Sequence, residues 1–197
     1  MITKFIKRIL RRDPMVRHTA VHTSGAPKRI TKKSHRIDPH LLSKNAVKVT
    51  HTLQQAGYEA FIVGGAVRDL VLGISPKDFD VATNATPEQV QKLFRKARLI
   101  GRRFQIVHVT FFGKGQPEII EVSTFRALLE NAGEHVAENG RILRDNVWGS
   151  QHEDAARRDF SINAMYYDPS SETVLDYHGG MADMQKKTLR MIGDPAK

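Results

Sequence analysis

The 197 residues carry 31 Lys and Arg against 21 Asp and Glu, a formal net charge of +10. Hydrophobic residues make up 40% of the chain, enough for a real core and too many for disorder throughout. Cysteine is absent, which excludes disulfide frameworks, thiolate metal sites and cysteine nucleophiles, and no apolar run approaches the roughly 18 residues of a membrane span.

The charge is uneven. The first 45 residues hold 12 Lys and Arg against Asp13 and Asp38, and beyond them the two signs balance. This describes a basic arm on a neutral domain, a contact for phosphate backbones or anionic lipid, or else a solubilising extension. Within it Ile2, Phe5, Ile6 and Ile9 follow helical spacing, with Lys4, Lys7, Arg8, Arg11 and Arg12 on the other face. Such a basic amphipathic helix suits weak association of residues 2–12 with a membrane surface, and the composition is also that of an organellar transit peptide. No secretory h-region follows, so the expected setting is cytoplasmic, or peripheral at the inner face of the membrane. Pro14, Gly25 and Pro27 mark residues 13–37 as a linker. The expected organisation is a disordered arm over 1–37 and one domain over 38–197.

Asp38-Pro39 reads as a helix cap with proline at the first turn, and Leu42, Ala46, Val49, Leu53 and Ala56 continue at helical spacing to Gly57. A strand is expected over 58–63, then a Gly64-Gly65 break and a short helix over 66–72. A strand follows over 79–82, and Thr86 with Gln89 forms a capping box for a helix to about Lys96. The runs 105–112 and 118–125 are β-rich and joined as a hairpin by a Gly- and Pro-containing turn. Residues 127–149 read as a long loop, 153–166 as a helix, 174–176 as a strand, 181–186 as a helix and 189–192 as a last strand. The order α-β-α-β-α-β-β-α makes the fold class mixed α/β, with the strands in the first two thirds.

Three features carry chemistry. Gly64-Gly65-Ala66-Val67-Arg68-Asp69 follows a strand and opens a helix; the glycines allow a ligand close to the backbone, helix N–H groups favour anions, and Arg68 adds a forked cation. The bland reading is a structural Gly-Gly turn. In Asp78-Phe79-Asp80 the carboxylates share one strand face, while Phe79 points to the core. Two such charges call for a cation, and magnesium takes carboxylate and phosphate oxygens together; the alternative is a solvated turn. Glu121 lies among apolar β-formers. Beside Asp80 it would complete a three-carboxylate site for two metal ions; otherwise it faces solvent on an edge strand. Farther on, Arg157-Arg158-Asp159-Phe160-Ser161-Ile162-Asn163 puts Asp159 and Asn163 at i, i+4 on a helix, with Arg158 and Asp159 able to hold triphosphate and ribose, or simply to form a surface pair. His108, in an apolar strand, reads as a satisfied core histidine.

These residues, with Glu121-Val122-Ser123-Thr124-Phe125-Arg126 and Asp176-Tyr177-x-Gly179-Gly180, occur over about two thirds of the chain in an order that resembles the head domain of the bacterial-type tRNA nucleotidyltransferase/poly(A) polymerase family. The segment from Leu99 to Val109 looks like the poly(A) polymerase branch, rather than the CCA-adding one. The resemblance implies a mixed sheet flanked by helices, related to polymerase β palms, and transfer of AMP from ATP to an RNA 3′-hydroxyl with two Mg²⁺ ions. It implies metal binding by Asp78 and Asp80; for the third carboxylate Glu121 is the geometric candidate and Asp159 the motif candidate, with ribose binding as its other role, and Asp159 is favoured. Nucleotide contacts would come from Gly64, Gly65, Arg68, Arg126, Arg157, Arg158 and Asn163. It also implies helical neck, body and tail domains, absent before the chain stops at Lys197. The alternatives are a CCA-adding enzyme and an inactive RNA- or membrane-binding fragment.

Overall fold

Short apolar runs build one sheet, with burial alternating along some strands and nearly continuous along those covered on both faces. In the computed structural model, which describes residues 25–102, 104–113, 115–128 and 148–193, the strands are β1 (Lys28–Thr31), β2 (Ala60–Val63), β3 (Phe79–Thr83), β4 (Ala97–Ile100), β5 (Ile106–Phe111), β6 (Glu118–Thr124), β7 (Met165–Asp168) and β8 (Thr173–Asp176). Their order across the sheet is β1-β8-β7-β2-β3-β6-β5-β4. β3 and β6 run parallel and the other neighbours antiparallel, so the sheet is mixed as expected. Most of the interval 127–149 and the amphipathic segment 2–12 lie outside the described residues.

One sheet face carries the main core. Ile62, Val81, Val107, Ile120, Val122 and Val174 pack there. Facing them are Ala46, Val49 and Leu53 of α2 (Lys44–Gln55), Val67 and Leu70 of α3 (Gly65–Val71) and Val90 of α4 (Pro87–Leu93). The other face has a smaller cluster of Val63, Ala82, Phe125, Tyr166 and Leu175 under Ala155 of α5 (Gln151–Ala156).

Several expectations need correction. The linker over 13–37 does not hold from Lys28 onward. Edge strand β1 pairs with β8 and buries Ile30, and α1 (Lys32–His35) follows. The Ile37 N–H donates to His35 Nδ1 at 3.0 Å, and His35 Nε2 lies 2.9 Å from the Glu172 carbonyl oxygen. The exposed cations of β1 disguised it as linker, although an edge strand tolerates charge. The Asp38 cap forms, but on a separate 3-10 turn, Pro39–Leu41; Ser43 caps α2 afresh, accepting from the Asn45 and Ala46 N–H groups. α4 has its capping box and ends at Leu93, which leaves room for β4.

The largest departure is the helix expected over 153–166. α5 ends at Ala156; a turn, a 3-10 segment (Ser161–Asn163) and then β7 follow. Tyr166 and Tyr167 are both buried, on opposite faces. A strand covered on both sides gives a continuous apolar run, which spacing cannot separate from a helix. The strand expected over 189–192 is reduced to a single bridge, Phe160 to Met191. The last helix, α6 (Gly180–Gln185), is capped by Asp176, which accepts from the Gly180 and Met181 N–H groups at 2.9 and 3.0 Å. The aspartate of the Asp-Tyr-x-Gly-Gly motif therefore holds a chain turn.

Candidate active site

Strand register brings the acidic residues together. Asp80 lies opposite Val63 on its antiparallel side and opposite Glu121 on its parallel side. The same row continues in both directions: Arg98, His108, Glu121, Asp80, Val63, Tyr166, Leu175 and Arg29 cross all eight strands. Residues opposite one another in a ladder project to the same face. Asp80 and Glu121 thus share the face turned away from the main core. Asp78 sits in the bend just before β3, exposed, and Phe79 between them is buried as expected.

This proximity shows in the Asp80 carboxyl. Partial enclosure raises its pKa above the ordinary 3.8, and Glu121 and Asp78 raise it further, while Arg158 opposes them. Glu121 is the carboxylate in strand register with Asp80. Asp159 accepts from the Phe160 N–H at 2.7 Å and contacts Asn163 Nδ2 at 3.4 Å. Asp159 and Asn163 do meet, but across a turn and a 3-10 segment rather than on one helix.

Gly64 closes β2 and caps α3 with φ 72° and ψ −142°, a conformation open essentially to glycine alone. A Cβ placed there would lie 3.6 Å from Arg158 Nη1 and 3.7 Å from Asp80 Oδ2. The turn thus passes between the acid and the guanidinium. Gly65 opens α3 beside the Arg68 guanidinium. Arg68 donates through Nε to Asp69 Oδ1 at 2.9 Å and through Nη1 to Asn163 Oδ1 at 3.0 Å, so its head is held in place.

Arg158 belongs to a network that sequence reasoning missed. Its Nη2 donates to Asp154 Oδ2 at 3.1 Å and its Nε to the Tyr166 hydroxyl at 3.2 Å, and that hydroxyl donates to Asp154 Oδ2 at 2.7 Å. Burial opposes the Arg158 charge, but Tyr166 and Asp154 outweigh it and its pKa rises. Burial pushes the Tyr166 phenol up strongly. The i, i+4 spacing of Asp154 and Arg158 was the available signal. Nothing local pointed to Tyr166, which comes from β7. Arg158, the exposed Arg157, Arg126, Asp154 and Ser123 line a cavity of about 260 Å³. The Arg126 N–H donates to Asp154 Oδ1 at 3.3 Å, and its guanidinium stands 4.8 Å from the Phe104 ring centre.

His108 is not a satisfied core residue. Its Nε2 lies 3.3 Å from Glu121 Oε1, without the alignment of a hydrogen bond, on the face that bears Asp80. Among the described residues, no three His, Asp or Glu side chains stand close enough to hold one ion together. What the geometry assembles is a pair of strand carboxylates beside Asp78, a glycine turn at a helix start, and fixed guanidinium groups from Arg68 and Arg158.

Comparison with known proteins identifies the family. The family model described as "Poly A polymerase head domain" matches residues 60–190. Poly(A) polymerase I of Salmonella typhi is 48% identical over 202 residues, covering 98% of this chain and 42% of the relative. The CCA-adding enzyme of Bacillus pumilus is 39% identical over 153 residues, covering 77% of this chain and 36% of the relative. The crystal structure of the Bacillus stearothermophilus CCA-adding enzyme in complex with CTP is 33% identical, with a TM-score of 0.59, covering 79% of this chain and 34% of that one. The chain thus spans about two fifths of the length of these curated relatives. By its matched residues and its similarity to these proteins, the chain belongs to the poly(A) polymerase head-domain family.

Proposed function

We propose that this domain transfers AMP from ATP to RNA 3′ ends without a template, as part of RNA polyadenylation. The observation that carries this is Asp80 held in register with Glu121, beside Asp78 and across the Gly64 turn from Arg158. The greater identity and coverage of the poly(A) polymerase I relative favours this reading over CCA addition.

In the reaction, the RNA 3′-hydroxyl gives up its proton to water, its oxygen attacks the α-phosphorus of ATP to form a new P–O bond, and the bond to the β-phosphate breaks to release pyrophosphate. Asp78 and Asp80 would hold Mg²⁺, and the donor set fits: like charges raise the Asp80 pKa, a repulsion that a divalent cation relieves. When bound, the metal lowers the pKa of the attacking hydroxyl and neutralises the triphosphate. Glu121 supplies further negative charge at the same place. The backbone N–H groups at the start of α3 and the Arg158 guanidinium present positive charge to phosphate oxygens. The hydrogen bonds that hold Arg158 and Arg68 fix those charges before substrate arrives, the condition under which electrostatic stabilisation is most effective. In this reading Arg157, Arg126 and the pair Asp159–Asn163 hold the sugar and the remaining phosphate. An intracellular setting, with ATP and RNA present, accompanies this reading.

The test is extension of a labelled oligoribonucleotide by the chain with Mg²⁺ and either ATP or CTP. Addition of A alone, absent without metal and in Asp80→Asn, supports the proposal. Ordered C and A addition confined to tRNA would replace it with the CCA reading. Metal-independent extension, or full turnover by Asp80→Asn, would overturn it.

A further inference from the structure

The smaller cluster covers only half of the sheet face that bears Asp80. On the half formed by β6, β5 and β4, Ile119 and Ile100 are 47% and 40% exposed. Phe112, one residue past β5, is 69% exposed, and Lys96, in the turn before β4, holds its Nζ 5.4 Å from that ring. Arg98 of β4 is exposed in the same row as His108, Glu121 and Asp80.

We propose that this open face of β4, β5 and β6 is the track on which the RNA strand lies, just upstream of its reacting 3′ end. The inference rests on the polymerase reading above and adds where the second substrate binds. Three observations favour RNA as the occupant. An exposed aromatic ring beside cations is a platform for stacked bases, and an open sheet face with such rings is a recurring single-strand binding surface. Lys96 and Arg98 supply charge that a phosphate backbone complements, whereas the centre of a protein contact is depleted of charge. The surface is continuous with the carboxylates: Arg98 stands three strands from Asp80, about 14 Å at the usual strand spacing. Protection of an edge strand would account for Arg98, but not for Phe112, Ile119 and Ile100 beside it.

The test is fluorescence anisotropy of a short labelled oligoadenylate with the full chain, without divalent metal, over a range of salt. Lys96→Gln/Arg98→Gln should reduce the slope of log affinity against log salt by about 1.4, the value for two lost phosphate contacts. Phe112→Ala should weaken binding about tenfold at unchanged slope. All three residues are exposed, so unchanged melting of both variants is expected and checks that they fold. Lys28→Gln/Arg29→Gln, on the opposite edge, is the comparator and should have the smaller effect. Wild-type binding by both β4–β5 variants, or an equal or greater loss in the comparator, overturns the track and leaves the face to a protein contact. Asp80→Asn separates the two proposals: it should bind the oligonucleotide normally and fail to extend it.

Discussion

Glu121 stands opposite Asp80 across the parallel pairing of β3 and β6, and that relationship is set by backbone hydrogen bonds rather than by the side chains. The carboxylates are therefore brought together by the fold even though they repel each other.

The first prediction follows from that repulsion. Asp80 has a raised pKa in the folded protein, so it binds its proton more tightly folded than unfolded. Its contribution to stability is greatest below the unfolded value of 3.8 and is lost as pH rises through the raised value. Without divalent metal, Asp80→Asn should melt at or above the wild-type temperature near neutral pH, and this loss with rising pH should be absent. Adding Mg²⁺ with ATP should raise the wild-type melting temperature and leave the variant's nearly unchanged. A variant less stable than wild type in metal-free buffer would contradict the assignment.

Asp154 should be structurally costly to remove. It is buried and accepts from Arg158, Tyr166 and the Arg126 backbone. Asp154→Ala leaves a largely enclosed guanidinium without its partner and should cost about 3 kcal/mol. Tyr166→Phe removes one hydroxyl from the network and should cost about 1 kcal/mol. Urea denaturation would measure both, and equal small losses would mean that the network is not held together through Asp154.

Adjacent glycines should respond differently. Gly64→Ala forces a side chain into a conformation with φ 72° and ψ −142° and should cost about 1–3 kcal/mol, with loss of nucleotide binding as the turn shifts between Asp80 and Arg158. Gly65 has no positive φ, and a Cβ there meets only the movable end of Arg68 at 3.4 Å. Gly65→Ala should fold with a change below about 1 kcal/mol. Thermal melts and ATP titration of the two variants side by side decide the matter.

Truncation should locate the true start of the domain. A chain beginning at Gly25 keeps every described contact. One beginning at Asp38 loses β1 and the buried Ile30, His35 and Ile37, and should be destabilised by several kcal/mol. Comparable melting of the two chains would show that β1 adds nothing to the sheet.

Much of the site could be read in the sequence because its signals are local. Gly64-Gly65 follows a strand, Asp78 and Asp80 are two apart, and Glu121 interrupts an apolar run. What could not be read depends on distant partners. β1 looks like linker until β8 lies beside it, and Tyr166 looks helical until the second face of the sheet is covered. The meeting of Glu121 with Asp80 likewise depends on which strand pairs with β3, a fact that no local spacing contains.

The parallel pairing also has a consequence for how the protein folds. Asp80 and Glu121 are about 40 residues apart, and α4, β4 and β5 all lie in the chain between them. Contacts of such long range form only after a large loop has closed, and they slow folding. A partly folded chain that has made only its local hairpins would hold Asp78 and Asp80 without Glu121. Affinity for metal and nucleotide should therefore emerge with the last stage of sheet assembly, and ligand added during refolding should favour the completed sheet over its precursors.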